Sequence, residues 1–139
     1  MDRAENTLSG SPTLPKPLRI LYVEDNSIVR EVTAELLFQE QRDIIAVATA
    51  EEALLEFREH PFDVVITDVS LPQMSGLDLA REILGIDPKA LIIVASGYYL
   101  DLSLQTWGPN VRAIVKPFEA ADIDRLIVQL REAAAARDT

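Results

Sequence analysis

Residues 63–79 read DVVITDVSLPQMSGLDL, and the fold turns on them. Val64, Val65 and Ile66 form a continuous apolar run rich in β-branched side chains, the pattern of a strand covered on both faces. The run ends at Asp68, and a Ser-Leu-Pro turn follows. Ser75 then precedes a segment in which Leu77, Ala80 and Leu84 recur at helical spacing. A buried strand that feeds an amphipathic helix through a short turn is one half of a parallel βαβ unit.

The same alternation extends in both directions. Apolar runs recur at 20–23, 44–48, 91–95 and 111–115. Between the first two, Val29, Val32 and Leu36 stand three and four apart behind Asn26 and Ser27, which can cap a helix start. Thr49 with Glu52 forms a capping box that opens a helix with Ala53, Leu54 and Phe57 on its inner face. Ile123, Leu126, Ile127 and Leu130 give the last helix an apolar stripe, and the alanines at 133–136 extend it. The fourth connection, 98–108, differs. Its Leu100, Leu102, Leu104 and Trp107 alternate as much as they spiral, and Gly108-Pro109 cuts it off, so a short, irregular or mobile helix is expected there. The pattern predicts an α/β fold, a (βα)5 flavodoxin-like three-layer sandwich whose parallel five-stranded sheet has the order 2-1-3-4-5.

The chain has 139 residues, 48% apolar and 26% charged, enough for one domain with a core. Its formal charge of −10, from 23 acidic and 13 basic residues, opposes direct binding to nucleic acid or to a membrane surface. The lack of cysteine excludes disulfides, zinc–thiolate sites and thiol chemistry. No apolar run approaches the roughly 20 residues of a membrane span, and the N-terminus lacks the apolar stretch of a signal peptide. A cytoplasmic protein is expected. Residues 1–17, MDRAENTLSGSPTLPKP, offer little to bury and read as a flexible leader, with the folded domain at 18–139.

In an open α/β sheet, ligands bind beyond the carboxyl ends of the strands, near the switch point between the first and third. Here the first run ends in Glu24-Asp25, the third in Asp68, the fourth in Ser96-Gly97 and the fifth in Lys116-Pro117. Singly, each has a structural reading: a helix cap, a turn aspartate, a strand exit, a solvated lysine. Together they ask for more, because three neighbouring carboxylates repel one another unless a cation or protons intervene. Mg2+ suits the set, since it takes one or two carboxylates, keeps its waters and accepts phosphate oxygens. Calcium would want more protein oxygens, and zinc would want His or Cys. An aspartate can attack phosphorus to give an acyl phosphate, and the transfer then needs a cation, an ammonium and a hydroxyl around the phosphoryl oxygens. The rim therefore points to phosphoryl transfer onto Asp68.

Four blocks, ILYVEDN (20–26), DVVITDVSLPQMSGLDL (63–79), IIVASGY (92–98) and IVKPF (114–118), stand in an order and at spacings that resemble the receiver domain of two-component response regulators. The resemblance runs from about residue 19 to 131. It implies that Asp68 is the phosphoacceptor, charged from a phosphohistidine on a sensor histidine kinase or a histidine phosphotransfer protein. It implies that Asp25 holds Mg2+ directly and Glu24 holds it through water, with the backbone carbonyl of Ser70 as a further ligand. Ser96 takes the hydroxyl switch position, Lys116 contacts a phosphoryl oxygen, and the Lys116-Pro117 bond is cis.

Two departures stand out. Ala113 occupies the place, three before the lysine, where many receivers carry a switching aromatic residue. The segment 98–110 is also short and carries Gly108-Pro109. Both bear on the usual output face. Tyr98 is a candidate to take over part of the aromatic role or to gate the site; the alternative is a tyrosine packed on its loop. His60, the only histidine, reads as a surface residue, and Trp107 as packing.

The expected function is that of a stand-alone response regulator, a phosphorylation switch rather than an enzyme, acting on an unknown downstream protein. Only eight residues follow Arg131, which leaves no room for an output domain behind it. Two alternatives are a phosphorylation-independent adaptor with the same fold and a receiver cut from a hybrid kinase. An aspartate-nucleophile phosphatase ranks lowest, because Ser70 stands where such enzymes place a second carboxylate.

Overall fold

The computed structural model describes residues 17–39, 41–100 and 107–137. Along them run β1 (Leu18–Val23), α1 (Ser27–Leu37), β2 (Arg42–Val47), α2 (Ala50–Glu59), β3 (Val64–Asp68), α3 (Gly76–Ile86), β4 (Leu91–Ser96), β5 (Val111–Val115) and α4 (Ala120–Arg137). The strands form one parallel sheet of order β2-β1-β3-β4-β5, as the sequence pattern predicts. The expected leader at 1–17 lies outside the described residues except for Pro17. So do residues 101–106, on which part of the expected fourth-connection helix falls.

Successive strand residues point to opposite faces, and two cores follow. Leu21, Val23, Val65, Ile92 and Val94 join α2 and α3 through Ala53, Leu54, Leu79 and Ile83. Ile20, Tyr22, Val64, Ile66 and Ile93 meet α1 and α4 through Leu37, Ile123, Ile127 and Leu130. The sheet is thus sandwiched between two helical layers, a flavodoxin-like α/β fold. Trp107 is buried in the first core, and the Arg81 guanidinium lies 4.8 Å from its ring centre.

Side-chain caps start three of the helices. Asn26 accepts from the Val29 N–H, Thr49 from Glu52 and Ser75 from Asp78. The reciprocal half of the Thr49 box is displaced by one residue, since the Glu52 carboxylate takes the Ala48 N–H at 3.2 Å. The box closes in full at Ser75, where Asp78 returns the bond.

The α1 stripe is the main departure from the sequence pattern. Val29, Val32 and Leu36 have the spacing of an inner face, yet Val32 is 60% exposed, and Leu37 is the residue that α1 buries. The reason is the gap between α1 and the start of α4. It forms a groove of about 430 Å³, walled by Tyr22, Val32, Leu36, Lys116 and Phe118 among others.

Candidate functional site

The β1–β3 register pairs Val23 with Thr67, so the next residues, Glu24 and Asp68, emerge side by side at the switch point. Glu24, Asp25 and Asp68 each bring an oxygen into a cluster within 4.8 Å. Glu24 is 2% and Asp68 8% exposed, whereas Asp25 is open to solvent. Two buried carboxylates need partners. Lys116 supplies one, its Nζ lying 3.0 Å from Glu24 Oε1 and 3.3 Å from Asp68 Oδ2. The other Glu24 oxygen accepts from the Asn26 N–H at 3.2 Å. Both oxygens of Glu24 are therefore engaged within the protein.

Burial pulls the Lys116 pKa down, but the hydrogen bond to Glu24 and the charges of Asp68 and Glu24 outweigh it. The net shift is upward from the ordinary 10.5, and the ammonium stays charged at neutral pH.

β4 delivers Ser96 to the same rim. It is 1% exposed, its carbonyl accepts the Lys116 N–H at 2.7 Å, and its Oγ accepts the Tyr98 N–H at 3.2 Å. The backbone thus ties the hydroxyl to the lysine, and the Lys116-Pro117 bond that follows is cis. Ser70 is exposed, with its N–H 3.5 Å from Asp68 Oδ1. The Tyr98 side chain is 61% exposed. The structure thus gathers Glu24, Asp25, Asp68 and Lys116, sets Ser96 and Ser70 beside them, and leaves the Tyr98 ring at the surface. His60 is exposed at the end of α2, away from this rim.

Supporting residues surround the cluster. Arg30 donates to the Glu24 carbonyl at 2.8 Å, and Gly76 lies against the Asp68 backbone. Two residues before Glu24, the buried Tyr22 lines a groove together with Thr33 and Lys116. Sequence reading passed over Tyr22, and its one signal was a phenol inside an otherwise apolar strand ending.

This fold, with an acidic cluster and a lysine at its switch point, defines the class of receiver domains, which are signalling switches that bind Mg2+ at an acidic pocket. The model of the response regulator receiver domain family matches residues 20–128, and the chain belongs to that family. It is 33% identical over 120 residues to the two-component response regulator PhoP of Pseudomonas aeruginosa, covering 84% of this chain and 53% of that protein. It is 32% identical over 108 residues to the chemotaxis protein CheY of Bacillus subtilis, covering 73% of this chain and 88% of that protein. Among solved structures it resembles the response regulator TrrA of Thermotoga maritima in complex with Mg2+-BeF. That match has a TM-score of 0.71 and 31% identity, over 81% of this chain and 98% of that one. Several relatives are longer proteins, and this chain spans about half the length of PhoP. Receiver domains of this kind serve as phosphoacceptors in two-component signalling. Among the described residues, no helix is long and apolar enough to cross a membrane.

Proposed function

We propose that this chain accepts a phosphoryl group on Asp68 from the phosphohistidine of a sensor kinase or phosphotransfer protein, and signals by binding a downstream protein. An Asp68 carboxylate oxygen attacks phosphorus, the P–N bond breaks, and its electron pair stays on the imidazole nitrogen, which takes up a proton. The observation that carries this reading is the Lys116 ammonium, held within reach of Glu24 and Asp68 at the rim of a buried acidic cluster. A lysine so placed can follow charge as it builds on the phosphoryl oxygens.

The donor set fits Mg2+, being all carboxylate and without His or Cys. With both Glu24 oxygens engaged, Asp25 and Asp68 would hold the ion directly, Glu24 would act through water, and the Ser70 carbonyl would complete the set. Bound there, Mg2+ offsets the charge of the carboxylates and of the phosphoryl oxygens. Ser96 supplies the hydroxyl that turns to the phosphoryl group, and Tyr98, tied to it through the backbone, gates the site. The acidic surface supports a protein partner over nucleic acid, and a cytoplasmic place. The domain occupies 18–139, and beyond its own phosphorylation and hydrolysis it needs no substrate.

Intact mass after incubation with acetyl phosphate tests the reading. One phosphoryl adduct is expected with Mg2+, with none in EDTA and none in Asp68→Ala. If wild type takes up no phosphoryl group and releases no phosphate from the donor, the adaptor reading replaces this one.

A further inference from the structure

Glu24, Asp25 and Asn26 link β1 to α1, and the backbone carbonyls of all three accept hydrogen bonds from one residue, Arg30. Its N–H donates to the Asn26 carbonyl at 2.8 Å, the ordinary first bond of a helix. Its guanidinium Nη1 donates to the Glu24 carbonyl at 2.8 Å and to the Asp25 carbonyl at 3.4 Å. A cation at the start of a helix opposes the helix dipole, so the guanidinium calls for a reason. Asp25 supplies one. Glu24 and Asp68 are held through their carboxylates by Lys116, and Glu24 also by the Asn26 N–H. The Asp25 carboxylate is exposed, and among the described residues it has no such partner. Its place in the cluster therefore follows from the backbone that carries it.

We propose that Arg30 is a positioning residue for Mg2+: by holding the Glu24 and Asp25 carbonyls it fixes the loop that sets the Asp25 carboxylate beside Asp68. The inference rests on the Mg2+ site of the proposed function. Two effects of the guanidinium oppose each other. Its positive charge near an acidic cluster disfavours a second cation. Its bonds order the ligand loop in advance, so less freedom is lost when the ion binds. The charge acts at a rim open to solvent, where salt screens it. A charge-assisted hydrogen bond is stronger than a neutral one, and its geometry holds at any ionic strength. Positioning outweighs repulsion, and loss of Arg30 loosens Mg2+. A flexible ammonium reproduces the planar guanidinium's fixed geometry only in part.

The test compares full-length wild type with Arg30→Met, which keeps the aliphatic stem, and Arg30→Lys, which keeps the charge. Mg2+ affinity is measured by calorimetry with no phosphoryl donor present, amide exchange at Asn26 is followed in EDTA, and urea midpoints check the fold. Arg30→Met is expected to bind Mg2+ about tenfold more weakly, the scale of one charge-assisted hydrogen bond, and to exchange the Asn26 amide faster. Arg30→Lys should lie between, about threefold weaker than wild type, and carries the comparison if Arg30→Met does not fold. Labelling by acetyl phosphate in Arg30→Met should need more Mg2+ yet reach the wild-type rate once Mg2+ saturates, a split that general loss of structure does not produce. Unchanged or tighter Mg2+ binding in the variants, or unchanged Asn26 exchange, would overturn the proposal, and so would a wild type that binds no Mg2+. A wild type that binds Mg2+ but does not label would count against phosphoryl transfer, with the Arg30 affinities still deciding this inference.

Discussion

A Cβ built on Gly76 would overlap the carbonyl oxygen of Asp68 and stand 2.9 Å from its carbonyl carbon, so helix α3 begins pressed against the backbone of the proposed phosphoacceptor. Gly85, on the same helix, has nothing within 4 Å of its Cβ position. Alanine at the two places should act with opposite sign. Gly76→Ala must push β3 and α3 apart and is expected to cost about 1–3 kcal/mol. Gly85→Ala gains helix propensity and should stabilise by about 0.5–1 kcal/mol. Urea denaturation of both decides the matter, and a neutral Gly76→Ala would refute the close approach. At this scale the sequence disclosed Glu24, Asp25, Asp68, Ser96 and Lys116, because each ends a strand and strand ends are where an α/β sheet puts its chemistry. It was silent on Gly76 and Tyr22. The importance of Gly76 lies in the Asp68 carbonyl it meets across the fold, and a period of two tells only which face a residue takes.

Helix starts are the elements with the most direct energetics. Ser75 bonds the Asp78 N–H at 3.1 Å, and Asp78 bonds back at 3.4 Å. Ser75→Ala should cost about 1 kcal/mol, and Ser75→Asn should recover most of it; chemical denaturation measures both. The central strands were the easiest elements to read, since β3 and β4 are buried along their full length and are apolar over Val64–Ile66 and Leu91–Ala95. The edge strands β2 and β5 are only part-buried, and their patterns are correspondingly mixed. The α1 stripe misled for a related reason. Spacing predicts that a helix has an apolar face but not that another helix closes over it, and here the groove beside α4 leaves that face open. In the proposed reading, exposed apolar surface beside that rim suits a protein donor better than a small molecule.

Across the whole molecule, Tyr22 and Lys116 set the response to alkali. Burial raises the Tyr22 pKa above the ordinary 10.0, with Thr33 lowering it and Glu24 raising it by smaller amounts. Lys116 is raised above 10.5 because its carboxylate partners outweigh burial. Both groups hold their protons more tightly in the folded chain than in the unfolded one. Their stabilisation is therefore complete below the unfolded values and lost as pH climbs through the folded ones. Stability from urea titrations should fall from about pH 10 upward, less steeply in Tyr22→Phe. A flat wild-type profile to pH 11 would contradict the shifts.

Glu24 and Lys116 are 92 positions apart in the chain, yet their side chains bond. Ribosomes make the protein from one end. A nascent chain carries all three carboxylates well before the lysine exists, and until β5 docks beside β4 no Lys116 ammonium lies between them. β3 and β4 lie between β1 and β5 in the sheet, so the two side chains meet only across the assembled strands. In the proposed reading, competence to take phosphate thus arrives only with the last strand of the sheet.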